Sequence, residues 1–261
     1  MVGFRFLVQG IHDEGEFRRL EEGEKWVRAL VWLGREGRKW RTAGQENGGE
    51  EVEGGRTGFS FDIGVDQRQG GSWQLEAMAG CVERVRRLED EEATPTMEHA
   101  EEQGKALDVP RTTFILNHFC KPAFSLPDSS EFKAWHAAMA RFAAQPAVYL
   151  KLSGFLTELS SPITVPDSFN LIIPYIRAAF DLFGARRIMW GSDWPVCNIG
   201  LGGSGQHGGS GHWREWREFV ERVMEEMDVR VEDSEWVWWR TAVTAYGVDL
   251  DAGEYGVGVG E

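Results

Sequence analysis

The stretch RIMWGSDWPV, residues 187–196, decides how this chain is read. Three apolar residues after the arginine run straight into Gly191-Ser192-Asp193, and Pro195 then forbids further strand pairing because it has no backbone N–H to donate. A segment of this kind predicts a short buried strand over 187–193 that ends in a carboxylate. In a parallel sheet the C-terminal strand ends gather the loops and the chemistry, so Asp193 stands where a general base belongs. Partial desolvation by Trp190 and Trp194 would raise its proton affinity toward the range useful for taking a proton from water. An aspartate that only caps the following loop is the other reading of the same spacing.

Working outward, four more segments have the same character: 4–8, 59–65, 113–118 and 148–154, each β-branched or aromatic-rich and each ending in polar or glycine residues. Helical periodicity fills the intervals at 16–33, 73–88, 130–144 and 171–183, and two closing helices are predicted at 213–227 and 234–246. Strand alternating with helix implies a parallel sheet with helices on its outside, an α/β architecture. Three stretches, 34–57, 89–111 and 200–211, are rich in glycine and charge and read as flexible surface insertions in a single domain over 1–248, with 249–261 as a disordered tail. The glycine run at 200–211 lacks the GxxxxGK[ST] order of a phosphate loop.

Composition narrows the partners. With 42 acidic against 28 basic residues the formal charge is −14, which offers no basic stripe for a phosphate backbone and argues against nucleic acid. No run approaches the ~18–20 apolar residues of a membrane span, and 1–7 lacks the pattern of a signal peptide, so a soluble, cytoplasmic protein is expected. Cys81, Cys120 and Cys197 are widely spaced and form no CxxC, which suits buried thiols. Oligomeric state stays open, a homo-oligomer among the options.

Further candidates come from polar residues in apolar settings. His118 follows Asn117 at the end of a strand; by itself such a histidine is more often a hydrogen-bonded structural residue than a reactive one. Lys151 interrupts the apolar run at 148–152, an expensive place for a charge unless it faces a polar cavity or pairs with a carboxylate. Arg5 is embedded in the first strand, where a structural role is the stronger reading and orienting an acidic substrate the other. Asp62 either hydrogen-bonds a polar ligand or ends its strand, and Trp194 offers an aromatic wall. His207 and His212 read as loop residues, His136 as helix packing, and His12 and His99 sit in polar surroundings.

Together the strings ILNHFCKPAF at 115–124, FKAWHAAMARFAAQPAVYLKLSG at 132–154 and PYIRAAFDLFGARRIMWGSDWPV at 174–196 resemble the amidohydrolase-related family, in its fuconolactonase-like and rhamnonolactonase-like branch. GFRFLVQG at 3–10 and FSFDIGV at 59–65 fit the same pattern. The resemblance implies a (β/α)8 barrel, with Asp193 as the residue that activates the hydrolytic water and His118 near the substrate carbonyl. It also implies substrate contacts for Lys151 and Arg5, and a small lactone of a sugar or aromatic acid as substrate. Family members open with a strand bearing His-x-His and carry two further strands before the one matched at 3–10. No His-x-His occurs in this chain. The expectation is therefore an incomplete barrel with about five of eight strands, truncated at its front, with no bound metal or other cofactor. A metal-dependent decarboxylase of the same superfamily and a catalytically inactive paralogue are the rival readings.

Overall fold

All five β-rich segments fold as strands in the computed structural model, which describes residues 3–6, 8–45, 59–102, 109–155, 165–198 and 211–248. The strands are β1 (Gly3–Phe6), β2 (Ser60–Ile63), β3 (Thr113–Leu116), β4 (Val148–Leu152) and β5 (Ile188–Trp190). They form one sheet in the order β1-β2-β3-β4-β5, every neighbour parallel, with Arg5 opposite Asp62, Asp62 opposite Ile115, Ile115 opposite Tyr149 and Lys151 opposite Met189. Five consecutive parallel strands with helical crossovers are an arc of an α/β barrel, incomplete among the described residues.

The helices are α1 (Glu14–Glu21), α2 (Glu24–Gln45), α3 (Gln67–Gly70), α4 (Ser72–Glu102), α5 (Ser130–Ala143), α6 (Val165–Phe183), α7 (Gly211–Glu226), α8 (Val231–Glu235) and α9 (Thr241–Tyr246), with a π-helical turn at Trp236–Arg240 between the last two. Side chains alternate across the pleat. Phe61, Ile63, Phe114, Leu116, Leu150 and Ile188 point outward into the main core against the helices, where Trp135, Phe142 and Ile176 are fully buried. The other set points inward: Ile115, Tyr149 and Met189 form a second, small cluster with Ala242, Ala245 and Tyr246 of α9. The C-terminal helix thus lies on the face that a closed barrel keeps inside. No helix among the described residues is long and apolar enough to cross a membrane.

Two of the expected insertions are in part ordinary helix. The helix α2 runs on to Gln45, into the stretch read as an insertion from 34, because Gly34 lies against Thr112, where a Cβ would stand 2.5 Å from the backbone nitrogen. That glycine marks close packing, not a loop. Likewise α4 continues past 88 to Glu102, since Glu89 is buried and accepts from the Thr112 N–H at 2.8 Å and from Arg86 at 2.6 Å. Residues read as solvated charge are a buried ion network. The remainder of those stretches, 46–57 and 103–108, lies outside the described residues, as do 200–210, His207 and the tail 249–261. The helix expected at 16–33 is broken at Glu22–Gly23 into α1 and α2.

Candidate active site

Beyond β3 the chain turns through four consecutive left-handed residues, His118 (φ 51°), Phe119 (54°), Cys120 (60°) and Lys121 (45°), none of them glycine. Such backbone is costly and persists only where packing enforces it. Here Phe119 is wedged between Phe155 (4.3 Å between ring centroids) and Trp135, whose indole N–H donates to the Phe119 carbonyl at 2.8 Å. The turn throws the His118 ring inward instead of continuing the strand, which corrects the expected strand over 113–118.

Three residues past β5, Asp193 is also left-handed (φ 58°), and its carbonyl accepts the Cys197 N–H at 2.9 Å, closing the turn around the cis Trp194–Pro195 bond. The strand expected to reach 193 therefore stops at Trp190. Asp193 Oδ1 lies 3.7 Å from His118 Nε2, both side chains about one-sixth exposed. The pair face each other at a separation beyond a hydrogen bond. On the far side of the ring, His118 Nδ1 and Ser153 Oγ share a hydrogen bond of 2.8 Å. Gly154, with φ of 77°, supports this from below: a Cβ there would stand 2.7 Å from His118 Nδ1. Burial first, then the charges of Lys151, Lys121 and Arg5, hold the imidazole down at about 3, with a hydrogen bond to Ser153 opposing. The ring is neutral at pH 7.

Beneath the pair lies a second polar group. Lys151 Nζ donates to Tyr246 Oη at 2.7 Å, to Asn117 Oδ1 at 2.8 Å and to Asp62 Oδ2 at 3.3 Å. Asn117 Nδ2 and the Tyr246 hydroxyl both donate to Asp62 in turn, at 3.2 Å and 3.0 Å. Burial holds the Lys151 ammonium below its ordinary value while Asp62 pulls the other way.

Of the residues singled out in the sequence, the fold thus brings His118 to Asp193 and Lys151 to Asp62. Arg5 is exposed on β1 beside Asp62, close enough for its charge to act on His118 and Lys151. Trp194 is 69% exposed at the rim next to Asp193. His136 stacks on Phe132 within α5, as its helical setting predicts. Sequence reasoning missed Ser153, Gly154 and Tyr246. Ser153 was within reach, since it follows Lys151 by two and so shares its face of the strand. Catalytic zinc takes three protein ligands, and among the described residues no group of three His, Cys, Asp or Glu is placed to hold a metal. His118 and Asp193 alone do not fit that requirement.

The family described as Amidohydrolase matches residues 88–207, which contain both halves of the upper pair. The chain is 41% identical over 104 residues to an L-fucono-1,5-lactonase of Burkholderia ambifaria, covering 40% of this chain and 32% of that protein. It is 25% identical over 153 residues to an L-rhamnono-gamma-lactonase of Scheffersomyces stipitis, covering 56% and 38%. The chain therefore spans well under half the length of the curated relatives it matches. A crystal structure of a Burkholderia multivorans amidohydrolase with bound Zn superposes with a TM-score of 0.65 at 24% identity, covering 95% of this chain and 65% of that one, a likeness of fold. By these likenesses the chain is similar to amidohydrolases over 88–207 and to lactonases of the fuconolactonase and rhamnonolactonase kind.

Proposed function

We propose that this chain opens the ring ester of a small lactone, of a sugar acid or an aromatic acid, with Asp193 as general base. The observation that carries the reading is the Asp193 carboxylate facing a neutral His118 across 3.7 Å at the C-terminal edge of a parallel sheet. Water gives a proton to Asp193 as its oxygen attacks the ester carbonyl carbon. The resulting oxyanion is stabilised by the imidazole, a hydrogen-bond donor held in place by Ser153. Collapse of the tetrahedral intermediate breaks the ring C–O bond, and the departing alkoxide recovers the proton from Asp193, leaving a hydroxy acid. Trp194 at the rim supplies a flat apolar wall for a sugar or aryl ring.

Lys151 enters this scheme differently from the sequence-based expectation of a substrate contact. Its three N–H groups are directed at three oxygens of the protein, so it acts as a fixed positive charge beneath the carbonyl. The names of the relatives support a lactone as substrate. Hydrolysis of a panel of sugar and aryl lactones by wild type and Asp193→Asn tests the reading: activity in the wild type with a loss of about 10²–10⁴-fold in the variant is expected. Equal rates in the two proteins would remove Asp193 from the mechanism.

A further inference from the structure

Tyr246 is the last residue of α9, and nothing in its own neighbourhood of sequence marks it as part of a site. The helix stops there because Gly247 adopts a left-handed conformation (φ 59°) and its N–H, with that of Val248, returns to carbonyls of Thr244 and Val243. Two small residues, Ala242 and Ala245, face the sheet and let the helix approach Ile115, Tyr149 and Met189 closely. That approach delivers the phenol to Asp62 and Lys151, residues far away in the chain.

We propose that Tyr246 is a positioning residue of the proposed lactonase site: its hydroxyl clamps the Lys151 ammonium onto Asp62 and Asn117, making the C-terminal helix the floor on which His118 stands. An ammonium has three N–H groups and no acceptor, and here each N–H has its own oxygen, from Tyr246, Asn117 and Asp62. The phenol closes the loop, accepting from Lys151 and donating to Asp62. Asn117 uses both ends of its amide in the same network and is joined by one peptide bond to His118. The clamp therefore fixes the residue from which the left-handed turn departs. It also fixes where the lysine charge sits relative to the imidazole.

This inference rests on the hydrolytic reading for its kinetic consequence, but not for its physical one. The test uses the full chain as wild type and Tyr246→Phe. Lysines are reductively methylated with formaldehyde, and the rate at Lys151 relative to exposed Lys133 is read by peptide mass mapping. In the wild type Lys151 should react at least about tenfold more slowly than Lys133, and several-fold faster in Tyr246→Phe. On a hydrolysed lactone the variant should lose about tenfold in kcat, as expected for one hydrogen bond to a charged group, with KM within about twofold. Equal labelling of Lys151 and Lys133 in the wild type overturns the clamp even if the variant fails to fold. So does a folded variant with unchanged labelling and unchanged kcat. Slow labelling that is released in the variant, in a protein that hydrolyses no lactone, supports the clamp and refutes the hydrolytic reading instead.

Discussion

The two faces of the sheet divide the work of the molecule. Outward, Phe61, Phe114, Leu150 and Ile188 meet helices in a continuous apolar core. Inward, Asp62 and Lys151, one residue further along their strands, bond to each other and to Asn117 just past the end of β3, with His118 and Asp193 above them. A pleat of period two lets one short strand serve both purposes, at the cost that any slip in register would exchange them. What differs is tolerance: the outer face needs volume and apolarity, whereas the inner face needs particular atoms at particular distances.

The comparison can be broken by substitutions on either side. On the inner face, Gly154→Ala forces a side chain into the His118 ring at a left-handed position, and lactone hydrolysis should fall by two orders of magnitude or more while the protein stays folded. On the outer face, Phe142→Ala removes a fully buried ring of α5 and should cost about 3–5 kcal/mol in chemical denaturation, with activity per folded molecule unchanged. If Phe142→Ala changed kcat with stability intact, the separation of faces would be wrong.

One residue links the faces and sharpens the comparison. Trp135 is an outer core residue whose N–H holds the Phe119 carbonyl, next to His118. Trp135→Phe leaves that buried carbonyl short of a donor, so a loss of about 1–3 kcal/mol is expected together with a several-fold fall in activity. Unchanged activity would show that the left-handed turn holds without this bond.

The smallest effect is on stability against pH, where the inner face opposes a buried carboxylate elsewhere. His118 falls from its ordinary 6.5 to about 3, so its contribution is complete above pH 6.5 and is lost as pH drops toward 3. Glu21, buried behind α4 and paired with Arg84, is pushed up by burial from 4.5 to about 7 against the pull of that arginine. Its contribution is complete below pH 4.5 and is lost as pH rises toward 7. The two slopes oppose each other between pH 4.5 and 6.5. Thermal midpoints should therefore change little there in the wild type, rise toward acid in His118→Asn and fall toward acid in Glu21→Gln. Parallel profiles for all three proteins would contradict these assignments.

The strands were legible because β-branched and aromatic residues cluster in them, and Asp193 and His118 were legible because each ends such a cluster. Their geometry was not. Four left-handed residues without a glycine leave no local signal, since Phe155 and Trp135 impose that backbone from distant elements. Charged residues near 89 look like solvent-exposed surface until Thr112 and Arg86 are brought to Glu89. Tyr246 and Asp62 are 184 residues apart, and only the docking of α9 on the inner face joins them.

A double-mutant cycle on Asp193→Asn and His118→Asn, read as kcat/KM on a hydrolysed lactone, goes most directly to the facing pair. If the two groups serve one transition state, each single change should cost about 10²–10⁴-fold and the double variant no more than several-fold beyond the worse single. Losses that multiply would mean that the carboxylate and the imidazole act independently, and would contradict the account.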